Sequence, residues 1–143
     1  MHSVLAMKWG CTDREVKEHL PGDDLVLAAA LQSTRGLSIA LEPREVWRWL
    51  AQAQHLRPGD FIRGAGRTWR VIEAEFARHL VLSTGMTSWT FVLRPLDDGA
   101  GTRLVVRNRL PRSGLSWKSL IDPSSFVFER RMLLGLSEHA ENN

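Results

Sequence analysis

The feature that most limits the fold of this chain is the stretch from residue 61 to residue 110. There, short runs alternate apolar with polar residues and are separated by Gly64-Ala65-Gly66, Ala77-Arg78, Gly85 and Asp97-Asp98-Gly99-Ala100-Gly101. Alternation with period two is the signature of strands with one buried face. The runs fall at about 61–64, 67–75, 79–84, 87–95 and 102–110. Connections this short only join antiparallel neighbours, because a parallel crossover needs a dozen or more residues. A meander of strands is therefore expected, and each strand's register assigns its side chains to a face. Trp69 and Val71 share one face; Trp89, Phe91 and Leu93 share another run of it; Leu104, Val106, Asn108 and Leu110 alternate with Arg103, Val105, Arg107 and Arg109.

The segments on either side are of different character. Residues 33–41 alternate Leu37, Ile39 and Leu41 with small or polar partners, which predicts one more strand. Pro43 then opens a helix, since a first-turn position leaves its missing N–H without cost, and Val46, Trp47, Leu50 and Ala53 recur at helical spacing up to about Gln54. Residues 8–24 are polar; Thr12 followed by Glu15 has capping-box spacing, so a short helix is expected over 13–19. Pro21-Gly22-Asp23-Asp24 and Pro58-Gly59-Asp60 read as turns, and residues 111–122 as a loop. The last element expected is a long helix over about 123–139, with Asp122 as N-cap and Pro123 at N1. Phe126, Phe128, Met132, Leu133, Leu134 and Leu136 cover more than half of its circumference, and Glu129 falls between Leu133 and Leu136. A sheet bent around this last helix buries both.

Composition narrows the function classes. The 143 residues are 43% hydrophobic and 24% charged, as in one ordinary globular domain. No apolar run reaches the roughly 18 residues a membrane-spanning helix needs, and Met1 to Met7 lack the basic and apolar regions of a signal peptide. Cys11 is the sole cysteine, so no intrachain disulfide and no cysteine zinc site forms, which fits a reducing, cytoplasmic setting. The net charge of +3 is modest. Residues 61–112 hold nine Arg against Glu73, Glu75, Asp97 and Asp98; this reads as a solvated sheet face before it reads as a phosphate site, and nucleic-acid binding is not expected. His2, His19, His55, His79 and His139 show no metal-ligand spacing, no Ser/His/Asp arrangement stands out, and Gly64-Ala65-Gly66 is a turn rather than a dinucleotide loop. Neither metal nor cofactor is expected.

Several collinear segments are similar to the START/Bet v1-like helix-grip superfamily, and more narrowly to its polyketide cyclase/dehydrase and lipid-transport group, the SRPBCC proteins. They are Trp9-Gly10-Cys11-Thr12-Asp13 through Leu20-Pro21-Gly22-Asp23, Gln32-Ser33-Thr34-Arg35, Val46-Trp47-Arg48-Trp49-Leu50-Ala51-Gln52, Arg57-Pro58-Gly59-Asp60, Trp89-Thr90-Phe91-Val92-Leu93, Thr102-Arg103-Leu104 and Phe126-Val127-Phe128-Glu129-Arg130-Arg131-Met132-Leu133-Leu134-Gly135. The resemblance implies an α+β fold in which a curved antiparallel sheet grips the long C-terminal helix, over one domain spanning 1–143, with residues 1–30 an N-terminal extension packed on the core. It also implies a cavity for a small hydrophobic ligand between sheet and helix. Only Ala53 to Leu56 stand where relatives carry a further lid-forming segment, so a shortened lid is expected. The wall of that cavity would be Trp47, Trp69, Trp89, Phe91, Val106 and Asn108, facing Phe126, Glu129, Met132 and Leu133. Asn108 and Glu129 are the polar groups able to orient a ligand. Three functions follow: carriage of a lipid, polyketide-like or aromatic molecule; a cyclase/dehydratase enzyme in which Glu129 or a histidine moves protons; or a dimerising module with no ligand.

Overall fold

A computed structural model of the chain describes residues 5–111 except 28, 53, 65 and 98. The expected C-terminal helix, with Phe126, Glu129, Met132 and Leu133, lies outside the described residues. Within them the fold is one sheet of seven strands flanked by short helices. The strands are β1 (Leu5–Trp9), β2 (Ala29–Ile39), β3 (Phe61–Gly64), β4 (Arg67–Glu75), β5 (His79–Ser83), β6 (Ser88–Pro95) and β7 (Thr102–Pro111). The helices are α1 (Asp13–Lys17) and α2 (Pro43–Leu50), with a single 3-10 turn over Asp23–Val26. The strand order is β1-β2-β7-β6-β5-β4-β3.

The meander from β3 to β7 is as its alternation dictates: every adjacent pair is antiparallel, and β2 joins it antiparallel to β7. The sheet as a whole is mixed, which corrects the expectation of a purely antiparallel one. β1 runs parallel to β2, pairing Met7 with Ser33 and Trp9 with Arg35. A parallel partner needs a long return connection, and residues 10–28 supply it. That connection contains α1 and the 3-10 turn, where a simple turn was expected at Pro21 to Asp24.

Register divides the side chains into two faces. The inner face carries Leu37, Leu104, Val106, Phe91, Leu93, Trp89, Leu80, Leu82, Val71, Trp69 and Ile62, which form one continuous core cluster with Val46, Trp47, Leu50 and Ala51 of α2. α2 is placed there by its own pattern: Pro43 at N1 starts it, and Val46, Trp47 and Leu50 are its buried residues. It stops earlier than its periodicity suggests, because Gln52 turns left-handed at φ 54°. The short link that follows drops Leu56 into the same core. A turn then reverses the chain, with the Arg57 N–H donating to the Asp60 side chain at 2.9 Å.

The outer face is covered by residues 10–26. Thr12 and Glu15 close the capping box that starts α1, as expected from their spacing. Leu20 packs on Val92 and Val105. Gly22 brings the segment against the sheet: at φ 88° it occupies the left-handed region, and a Cβ there would meet Val81 Cγ1 at 2.6 Å and Thr90 Oγ1 at 2.7 Å.

Candidate ligand-binding face

Six of the predicted wall residues lie in the described region, and the structure gathers them on the inner face. Trp47 comes from α2, Trp69 from β4, Trp89 and Phe91 from β6, and Val106 and Asn108 from β7. Trp69, Trp89 and Phe91 form a continuous aromatic row, each neighbouring pair with ring centroids 5.0 Å apart. The Trp69 indole N–H donates to the Gly64 carbonyl at 2.9 Å, so that ring is tied to the β3–β4 turn. Trp47 meets Phe76 edge-on at 6.1 Å, at the far end of the row.

Asn108 stands directly across the β6–β7 ladder from Trp89, and Phe91 across from Val106. Asn108 is in turn paired with Ser33 of β2, and Val106 with Arg35. The guanidinium of Arg35 lies over the Trp9 ring at 5.1 Å. Two polar atoms of this face, the Trp89 indole Nε1 and the Asn108 Oδ1, are buried and find no hydrogen-bond partner among the described residues. Buried polar atoms are paired in the great majority of cases, so a donor and an acceptor left open at opposing ladder positions are a feature of the site.

On the outer face Asp23 Oδ1 is also buried without a partner among the described residues, but the arginines there are closed. Arg107, 1% exposed, uses every N–H of its guanidinium. Nε donates to Thr34 Oγ1, Nη1 to the Glu18 carbonyl and Asp23 Oδ2, and Nη2 to the Glu15 and Val16 carbonyls. It therefore closes the C-terminal carbonyls of α1, where a cation also meets the negative end of the helix dipole. Arg103 binds Glu15 through two bonds of 2.9 and 2.8 Å, and Arg94 binds Glu18 through two of 2.9 and 2.6 Å. Arg109 donates to the Val26 carbonyl and to Gln32. The Arg103 guanidinium, with the Thr12 N–H also bonded to this carboxylate, holds the Glu15 carboxyl down at about 2. Burial pulls the Arg107 pKa down, opposed by the Asp23 charge. These arginines were expected on a solvated face. They are instead the clasp that holds residues 10–26 on the sheet, and their anions and carbonyls come from the chain itself.

A β-bulge adds a grouping that alternation conceals. The ladder slips between Val71 and Glu73, so Glu73 and Glu75 turn to the outer face beside His79. His79 Nε2 lies 2.8 Å from Glu73 Oε1 and 3.7 Å from Glu75 Oε2, while Arg78 donates to Glu75 at 3.1 Å. The ligand-type atoms of Glu73, Glu75 and His79 all lie within 4.8 Å of one another. Both carboxylates are half-exposed and one is already bonded to Arg78, so the arrangement works as a surface ion-pair network. Cys11 donates its S–H to the Thr34 carbonyl at 3.4 Å and belongs to the outer-face packing.

No family model matches this chain, and no curated protein matches it. Solved structures do match. Protein Ms6760 from Mycobacterium smegmatis is 14% identical, with a TM-score of 0.56 over 73% of this chain and 87% of that one. Protein SSP2350 from Staphylococcus saprophyticus is 12% identical, with a TM-score of 0.56 over 77% of this chain and 91% of that one. Aha1 from Colwellia psychrerythraea, solved as a dimer, is 12% identical, with a TM-score of 0.52 over 74% of this chain and 96% of that one. At such identities the likeness is one of fold: the chain has the SRPBCC/Bet v1-like fold. No helix among the described residues is long and apolar enough to cross a membrane.

Proposed function

We propose that this protein binds a small hydrophobic ligand, of lipid, polyketide-like or aromatic type, against the inner face of its sheet. The observation that carries this reading is the aromatic row of Trp69, Trp89 and Phe91 with an open donor and an open acceptor set into it. An apolar wall with a few convergent polar groups is the usual make-up of a ligand site. Affinity comes from apolar burial at about 25 cal/mol per Å², and the polar atoms fix orientation. Trp47, Val106 and Asn108 complete the described part of the wall; Phe126, Glu129, Met132 and Leu133 are proposed for its other side. The cyclase/dehydratase alternative depends on Glu129 or a histidine, and His79 lies on the outer face with Glu73 and Glu75.

Native mass spectrometry of protein purified without detergent tests this reading. The expected result is an adduct that organic extraction removes, after which the protein takes up the apolar fluorophore phenylnaphthylamine. A bare chain that also leaves phenylnaphthylamine unbound would overturn it.

A second reading, a homodimer, is favoured by the sheet's edge. Among the described residues β3 pairs only with β4, and its first residue, Phe61, is 65% exposed. A second copy added there would cover the open edge. Light scattering that gives a monomer mass at every concentration would exclude it.

A further inference from the structure

We propose that the ligand's polar group is a hydroxyl seated between Trp89 Nε1 and Asn108 Oδ1. This rests on the inner-face reading above and specifies the chemistry of that site. Three observations lead to it. Trp89 is 4% exposed, yet its indole N–H has no acceptor among the described residues. Asn108 Oδ1 is likewise buried without a donor. The two residues are direct partners across the β6–β7 ladder, where side chains begin about 4.5–5.5 Å apart, and the proposed hydroxyl bridges them.

The chemistry of the two atoms selects that group. An indole N–H only donates, and an amide oxygen only accepts. A ligand carboxylate only accepts, so it would set its charge against Asn108 Oδ1. An ammonium only donates and would leave the Trp89 N–H open. An ether or ketone satisfies Trp89 alone. A hydroxyl accepts from Trp89 and donates to Asn108 through a single oxygen, which removes both open valences at once. Leaving either one buried and open costs more than the mean value of a hydrogen bond, so the preference for a hydroxyl is strong for so small a group.

Displacement of phenylnaphthylamine by naphthol, methoxynaphthalene and methylnaphthalene provides the test, since the three differ only in the polar group. Naphthol is expected to bind about tenfold more tightly than methylnaphthalene, because two hydrogen bonds of about 1 kcal/mol are partly offset by desolvation. Methoxynaphthalene, an acceptor only, should fall between them or below. Trp89→Phe, which removes the N–H and keeps an aromatic ring, should abolish the naphthol preference, read as the ratio of naphthol to methylnaphthalene affinity within the variant. Asn108→Leu should do the same from the acceptor side and serves if the first variant folds poorly. Equal binding of all three compounds, or a naphthol preference that survives both variants, overturns the hydroxyl inference while keeping an apolar site. Failure of all three compounds and of phenylnaphthylamine to bind overturns the inner-face reading itself, and the hydroxyl inference with it.

Discussion

The two faces of this sheet treat their polar side chains differently. On the outer face Arg107 is buried with all of its donors occupied, and Arg94 and Arg103 hold carboxylates by paired bonds. On the inner face Trp89 Nε1 and Asn108 Oδ1 are buried and open among the described residues. Polar groups on one β-sheet share a backbone and differ only in what covers them. The outer face is covered by residues 10–26, whose carbonyls and acids were matched to the arginines in the same chain. The inner face keeps unused hydrogen-bonding capacity within an aromatic wall. On the outer face the one such atom among the described residues, Asp23 Oδ1, belongs to a carboxylate already held by Arg107 through its other oxygen; on the inner face the open atoms sit in an aromatic wall, where an outside molecule has something to gain.

Mutations should separate the faces, and the largest effect belongs to the outer one. Arg107→Met leaves the Asp23 carboxylate buried without its cation and strips the carbonyls of α1 of their donors. It should cost about 3–5 kcal/mol in urea unfolding, enough to unfold a marginal domain. A loss below 1 kcal/mol would mean the clasp is not the outer face's main fastening. Next comes Gly22→Ala, where a Cβ 2.6 Å from Val81 Cγ1 meets a left-handed backbone; about 2–3 kcal/mol should be lost. A wild-type melting temperature for this variant would show that the segment approaches the sheet less closely.

Glu15→Gln is a smaller change with a defined pH signature. Because Arg103 holds the Glu15 carboxyl at about 2, well below its unfolded value, the carboxylate contributes stability that is present above about pH 4.5 and lost as pH falls toward 2. At neutral pH the variant should lose about 2 kcal/mol, after allowance for solvent screening at the pair. Between pH 4.5 and 2 the stability of wild type and variant should converge. Parallel curves over that window would remove the Glu15–Arg103 pair from the account. The smallest expected effect is on the inner face. Trp89→Phe deletes a donor that bonds nothing among the described residues but also shrinks a buried ring packed between Trp69 and Phe91, so a loss of about 1 kcal/mol, from packing alone, is expected.

The sequence made the strands legible because each needs only its own alternation and the turn residues beside it. Phe61–Gly64, Arg67–Glu75 and Thr102–Pro111 follow from this local pattern, and the same pattern put Trp69, Trp89, Phe91, Val106 and Asn108 on one face. β1 was missed, because Leu5-Ala6-Met7-Lys8-Trp9 is short and its partner β2 lies across a long connection. The clasp was missed for a related reason. Arginines alternating with apolar residues read as solvent-facing, and here their acceptors are carboxylates and backbone carbonyls of residues 10–26, brought over from a segment distant in sequence, which local alternation does not reveal. The bulge at Ile72 defeats period-two counting, so Glu73 arrives beside His79 rather than inside. That Asn108 faces inward was readable from alternation; that its oxygen stays open was not, since this depends on every neighbour at once.

The most direct test of the contrast between the faces is the indole region of the proton–nitrogen spectrum. The chain has six tryptophans, and Trp89→Phe identifies the resonance of interest. In protein stripped of any co-purified ligand, the Trp89 indole N–H should resonate upfield, as an unbonded donor does, yet exchange slowly because it is buried. Addition of naphthol should move it downfield while methylnaphthalene leaves its hydrogen bonding unchanged. A Trp89 indole proton already downfield in the stripped protein would mean that the inner face, like the outer one, is closed by the chain's own atoms.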